Sequence, residues 1–399
     1  MPHVLYATAR LPSGDGEPFI VAEVLALQRQ GWEVTVVPVR GSGDVVHGDA
    51  RQLTAWASPV LNVRVFAGAL AEALRHPGTA ARAFGSLLPS RSGDVRMRNL
   101  AVLPKALWLA RRARHSGADH IHAHWASTPS TMAMLAARIA DIPWSMTAHR
   151  WDIAENNLLR EKAESACFVR VISEHGAEEL SRITALDGFA PTVLHMGVDL
   201  PPSAQEEQHA EALRVVTPAR LVEKKGHAYL LEAVRALQDR EVDARVDIAG
   251  DGPMGPSLRR KAAELDLADD VRFLGTVPHD ELLGRMEAGE WDVVVLPSVI
   301  TESGELEGIP VALIEALARG LPAVGTETGG TPELLGGGAG VLVPPGDAGA
   351  LADALQRLAS EPALRAELAS AGRARVEERF DVERIAAELG ARFRDCAKP

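Results

Sequence analysis

The chain has 399 residues, 46% of them hydrophobic, with 35 glycines, 25 prolines and a formal net charge of −12. That length exceeds one typical core and sets two domains as the expectation, and the acidity speaks against a general nucleic-acid binder. No apolar run reaches the roughly 18 residues of a membrane span, no leader precedes the first strand-like segment, and the two cysteines, Cys167 and Cys396, build no disulfide framework and suit a reducing, cytoplasmic compartment.

Residues 4–8 read as a buried strand. Gly14, Asp15 and Gly16 form a loop, residues 19–30 a helix stopped by Gly31, and residues 33–39 a second strand. This is the start of a doubly wound parallel sheet. The loop lacks the third glycine of a dinucleotide fingerprint. Residues 51–115 read as helical. Between 64 and 114 they carry Arg64, Arg75, Arg82, Arg91, Arg96, Arg98, Lys105, Arg111, Arg112 and Arg114 against only Glu72 and Asp94. Leu70, Leu74, Phe84, Leu87 and Leu88 lie among the cations. The pattern suits a basic amphipathic surface meeting an anionic membrane at its inner face, or else the solvated face of ordinary helices.

Residues 119–125 form a strand that puts His120, His122 and His124 on one face. Three imidazoles along one strand rarely close a tetrahedral metal site alone. His124 and Trp125 are instead expected at the strand's C-terminal end, where open α/β sheets bind ligands. His149, with Arg150 and Asp152, follows the next strand in the same way. It suits a general base or hydrogen-bond donor, or an ordinary loop histidine. Strands at 168–173 and 192–195 complete an N-terminal domain over 1–198, and 199–212 reads as a linker.

The pattern restarts in a second domain over 213–379. Strands are expected at 213–219, 244–249, 271–277, 291–297 and 322–325, with one helix over 348–378 and a last helix from 380. The first of these strands leads into a loop with Arg220 and Lys225, a forked and a mobile cation suited to a diphosphate. Residues 302–315 join a carboxylate-rich loop to an apolar helix. Gly308 permits close backbone approach, and Pro310 suits the first helical position. The N–H groups of that first turn favour an anion. Glu307 and Glu315 would repel a phosphate and suit hydroxyls. An anion together with a polyol describes a nucleotide sugar. These loops gather at the C-terminal edge of one sheet.

Eight segments carry a family resemblance: His120-Ile-His-Ala-His-Trp125, Thr147-Ala-His-Arg-Trp-Asp152, Val193-Leu-His-Met-Gly-Val-Asp199, Ala219-Arg-Leu-Val-Glu-Lys-Lys-Gly226, Gly250-Asp-Gly-Pro253, Phe273-Leu-Gly275, Glu307-Gly-Ile-Pro-Val-Ala-Leu-Ile-Glu-Ala-Leu-Ala318 and Gly329-Gly-Thr-Pro-Glu333. With them the chain resembles the family 4 retaining glycosyltransferases of the GT-B fold, and among these the bacterial exopolysaccharide (colanic-acid-type) enzymes. The resemblance implies an α/β protein of two Rossmann-like doubly wound domains facing each other across a cleft, with residues 380–399 crossing back to the first. It implies sugar transfer from a nucleotide-diphosphate sugar, UDP-sugar foremost, to a hydroxyl of a glycan, lipid-linked or small-molecule acceptor, without a metal or cofactor. Arg220 and Lys225 would hold the diphosphate, and Glu315 the ribose hydroxyls. Glu307 and His149 would attend the transferred sugar. Gly250, Leu274, Gly275 and Val277 would border the nucleotide, and Gly308, Ile309, Pro310 and Val311 the phosphates or sugar. Gly14, Asp15, Gly16, His124, Trp125 and Asp152 would line the acceptor side. The Gly-Asp-Gly loop departs from the family's usual glycine pair. A sugar-nucleotide epimerase of the same fold and a non-catalytic binding subunit are the alternatives.

Overall fold

The computed structural model describes residues 1–13, 18–41, 49–60, 62–202 and 212–396. They form two compact units, Met1–Gly197 with Val382–Pro399, and Val198–Asp381. Gly14, Asp15 and Gly16, and residues 203–211 of the expected linker, lie outside the described residues.

Unit 1 is built on six parallel strands: β1 (His3–Thr8), β2 (Glu33–Pro38), β3 (His120–His124), β4 (Trp144–Ala148), β5 (Val169–Val171) and β6 (Thr192–Val193). They lie in the order β2-β1-β3-β4-β5-β6. Strands β1, β3, β4 and β5 are buried along their whole length, as parallel strands covered on both faces must be. The helices are α1 (Pro18–Arg29), α2 (Val63–Arg75), α3 (Pro77–Gly85), α4 (Gly93–Ser116), α5 (Thr128–Ala140), α6 (Arg150–Glu155), α7 (Leu159–Ser165) and α8 (Glu174–Thr184). The Ser92 hydroxyl caps α4 by accepting from the Val95 N–H, and Gly117 ends it at φ 66°.

Unit 2 repeats the plan with β7 (Leu213–Pro218), β8 (Ala244–Ala249), β9 (Val271–Gly275), β10 (Val293–Leu296), β11 (Ala323–Thr326) and β12 (Val341–Val343), in the order β12-β11-β10-β7-β8-β9. Its helices are α9 (His227–Asp239), α10 (Gly255–Glu264), α11 (His279–Glu287), α12 (Val311–Ala318), α13 (Thr331–Leu335), α14 (Ala348–Ser360) and α15 (Pro362–Arg379). Strand order reverses beside β1 in unit 1 and beside β7 in unit 2, and such switch points open a ligand crevice at the strands' C-terminal ends.

The chain then returns to unit 1 as α16 (Val382–Cys396). Val382, Ile385, Leu389 and Phe393 join Val4, Tyr6, Ile20 and Leu27 in one core. The Trp32 and Phe393 rings lie 5.5 Å apart, edge to face. This return bonds Cys396 to Cys167, with Cα atoms 5.9 Å apart. The reading of two cysteines that build no disulfide framework and suit a reducing compartment did not anticipate this single bond. A sequence separation of 229 residues carried no sign of that proximity. Two smaller differences concern unit 2. The helix expected over 348–378 is broken at Pro362, and the short strand β12 was not expected.

Candidate functional site

In unit 2 the loops leaving β7 and β10, on either side of the switch point, are pressed together. Gly226 (φ 68°) lies so close to the Pro297 carbonyl that a Cβ there would collide with it. Gly329 (φ 54°), leaving β11, packs in the same way on the Glu307 carbonyl. Only glycine combines that backbone conformation with that approach. The Val299 N–H donates to the Lys224 carbonyl at 2.9 Å, tying the same loops.

Across this seam Lys225 Nζ forms an ion pair with Glu307 Oε2, the two side chains 17% and 14% exposed. Of the carboxylates in the 302–307 loop, Glu302 and Glu305 are exposed and only Glu307 meets the lysine. Arg220 is exposed, and its guanidinium makes no ion pair among the described residues. Pro310 is the residue before α12 rather than its first residue, because its ψ of 113° is extended. Its carbonyl accepts from the N–H groups of Leu313 and Ile314. Glu315 sits in the next turn of α12 and accepts from His279 Nε2 at 2.8 Å. That hydrogen bond, working against burial, raises the His279 pKa. Gly250 N–H donates to the Gly275 carbonyl at 2.8 Å, joining the exits of β8 and β9 near the partly buried Leu274 and Val277. Lys225, Glu307, Gly308, Ile309, Pro310, Val311 and Glu315 thus share one edge. His279 belongs with them and was missed, since a histidine just after a proline reads as turn.

The unit 1 edge is built differently. His124 and Asp152 were expected at an open surface, and both are 0% exposed. His124 lies beneath His149, their Nε2 atoms 2.9 Å apart. Asp152 accepts from the N–H groups of Ala126 at 2.5 Å and His149 at 2.7 Å, so it clamps the exits of β3 and β4 together. Burial raises its pKa to about 7 against those hydrogen bonds, and burial lowers that of Lys162, which donates to the Ala126 and Ser127 carbonyls, to about 7. The row His120, His122 and His124 is turned inward and makes its hydrogen bonds within unit 1. His120 and His122 meet the Ser145 hydroxyl at 2.7 and 2.8 Å, and His122 meets Thr147 at 2.9 Å. Trp125 keeps a φ of 103°, a strained value for a bulky residue. Its ring packs 4.3 Å from that of His149 and 5.6 Å from that of Trp151, which is 54% exposed.

The expected basic face over 64–114 is smaller than its charge count. Lys105 is buried and donates to the carbonyls of Pro38, Val39 and Ser58. Arg98 pairs with Glu155, Arg114 with Glu72, and Arg112 lies over Trp56. Leu87 is buried too. What remains outside is Arg64, Arg75, Arg82, Arg91 and Arg96 with Val63, Phe66, Leu70, Leu74, Phe84, Leu88 and Met97.

Residues 203–375 match the family model described as glycosyl transferases group 1. That match covers less than half of the chain, and the two Rossmann-like units are those of the GT-B fold. It is 40% identical over 172 residues to the amylovoran biosynthesis glycosyltransferase AmsK of Erwinia amylovora, covering 43% of this chain and 42% of that one. It is 39% identical over 206 residues to WcaL of Escherichia coli K12, named for colanic acid biosynthesis, covering 50% of each chain. These matches thus span about half or less of each relative's length. Among solved structures, Anabaena HepE in complex with UDP and glucose shares the fold with a TM-score of 0.70 at 18% identity, over 99% of this chain and all of that one.

Proposed function

We propose that the protein transfers a sugar, with retention of configuration, from a nucleotide-diphosphate sugar to a hydroxyl acceptor of a bacterial surface polysaccharide. The observation that carries this reading is the Lys225–Glu307 pair across the unit 2 switch point, with Arg220, whose guanidinium makes no ion pair among the described residues, on the same loop. In the free protein Glu307 neutralises Lys225. A diphosphate displaces that partner, and the released carboxylate accepts from a sugar hydroxyl. Arg220, Lys225 and the N-terminal turn of α12 then stabilise the charge that grows on the leaving diphosphate, the role a metal would otherwise take. Glu315 accepts from the ribose hydroxyls once they replace His279. The complex of HepE with UDP and glucose and the naming of AmsK for a polysaccharide support a UDP-sugar donor and a glycan acceptor. A panel of nucleotide sugars, with and without glycan acceptors, tests this by release of nucleoside diphosphate and by NMR of the new linkage. An inverted linkage ends the retaining mechanism, and free epimerised sugar without an acceptor ends the transferase reading.

We further propose that α2 to α4 rest on an anionic bilayer. Val63, Phe66, Leu70 and Leu74 recur at helical spacing on α2, up to 84% exposed, and arginines flank them. Such a face suits shallow insertion beside acidic headgroups, each arginine adding about 1 kcal/mol. Sedimentation with phosphatidylglycerol vesicles is expected, with release on Leu70→Glu or Leu74→Glu. Equal binding to neutral vesicles would remove the electrostatic part.

A further inference from the structure

Beneath the unit 1 edge runs a buried polar chain that the sugar-transfer reading does not use. Glu23, on α1, is 0% exposed. Its Oε2 pairs with Arg170 Nη1 at 2.5 Å, and its Oε1 accepts from the Tyr6 hydroxyl. Arg170, on β5, is equally buried, and its other N–H groups go to the carbonyls of Leu194 and His195. Burial opposes ionisation of Glu23, yet Arg170, with hydrogen bonds from His124 and Tyr6, holds its carboxyl well below the usual range. A charged carboxylate is therefore fixed inside the sheet.

Its neighbour on the far side is His124, whose Nδ1 lies 3.3 Å from the Tyr6 oxygen and 3.6 Å from Glu23 Oε1. The Tyr6 proton is already given to Glu23, so both groups offer lone pairs. His124 Nδ1 must carry a proton to face them. In a neutral ring Nε2 is then bare, and it can only accept across the 2.9 Å gap from His149 Nε2–H. At the start of α6 the Asp152 carboxylate accepts from the His149 backbone N–H at 2.7 Å. With His124 neutral, the acceptors at the Glu23 end set the proton order along the chain. Burial keeps His149 neutral, its pKa well below the usual value.

We propose that Glu23 is a positioning residue: through His124 it fixes His149 as the neutral Nε2–H tautomer, so that the imidazole serves as an uncharged wall beside Trp125 and not as a general acid or base. Tyr6 and Arg170 hold Glu23 in that task. Of the roles offered for His149, this sets aside the general base, and its catalytic consequence rests on the sugar-transfer reading above.

The test reads the tautomer directly, so it stands apart from activity. Long-range ¹H–¹⁵N spectra of the full-length protein should show His149 with protonated Nε2 and bare Nδ1, unchanged from pH 5.5 to 8. Tyr6→Phe leaves the Glu23–Arg170 pair in place. It should admit the second tautomer, as should Glu23→Gln, while Glu23→Asp restores the first. If the sugar transfer holds, kcat falls about tenfold to a hundredfold in Glu23→Gln with donor KM little changed, the size expected of a misplaced site group. A His149 ring that titrates within that pH range, carries its proton on Nδ1, or keeps one tautomer in both Tyr6→Phe and Glu23→Gln overturns the proposal. A protein with the expected tautomer and no transferase activity would leave this inference standing and remove the sugar-transfer reading instead.

Discussion

Beside the switch strand β1 of unit 1, Glu23, His124, Asp152 and Arg170 are all sealed from solvent. Beside β7 of unit 2, Lys225 and Glu307 remain partly exposed and Arg220 is exposed. One topology thus carries two uses of charge. In unit 1 the charges answer one another and set the shape of an aromatic edge. In unit 2 they stay near the surface, on a frame of glycines rather than of buried ions. Charges committed inward should govern stability, and charges near the surface should govern turnover.

The sharpest way to break this contrast is Asp152→Ala. It strands the buried N–H groups of Ala126 and His149, and a loss of about 2–5 kcal/mol of stability is expected in denaturant titration. A loss under about 1 kcal/mol would show that unit 1 does not depend on its inward charges. The mirror experiment in unit 2 is Lys225→Ala. Turnover should fall about 10²–10³-fold, as on losing one donor to a developing anion, while stability stays within about 0.5 kcal/mol.

Acid should separate the units next. In unit 1 burial lowers the His120 pKa to about 3 and those of His122 and His149 well below 6.5, and in unit 2 burial lowers that of His227 to about 4. These groups are neutral when folded and bind protons once unfolded. Their stability is present above pH 6.5 and is lost as pH falls. Asp152, raised to about 7 by burial, binds its proton in the fold first and offsets one of the three. Between pH 6 and 4.5 unit 1 should therefore lose stability more steeply than unit 2. Hydrogen exchange followed separately in β3–β5 and β7–β10 measures both, and equal slopes would erase the distinction. The smallest effect is expected from His279→Ala. The pair with Glu315 is half-exposed, so donor KM should change by no more than about fivefold.

Much of the unit 2 edge is legible from residue types. Arg220, Lys225 and Glu307 stand beside glycines and prolines that punctuate strand ends, where backbone geometry limits where a charge can go. The core strands are legible for a similar reason, since apolar runs such as that of β10 admit few other states. Glu23 is not read this way. It occupies the apolar stripe Ile20, Val24 and Leu27 of α1, and a carboxylate on such a stripe is itself a sign of a buried partner. The partner, Arg170, lies on β5, and only the sheet order brings them together. The Cys167–Cys396 bond and the depth of His124 are hidden likewise, because both depend on how layers stack rather than on local pattern.

The return of α16 to unit 1 has a consequence for the order of assembly. Phe393 packs against Trp32, His120 and Phe168, so the first sheet's hydrophobic interior is closed by a segment made after every strand of unit 2. A ribosome-bound chain that has finished only residues 1–197 holds a lobe with one wall missing. Until the last helix emerges, that lobe should be the part that chaperones hold and proteases cut.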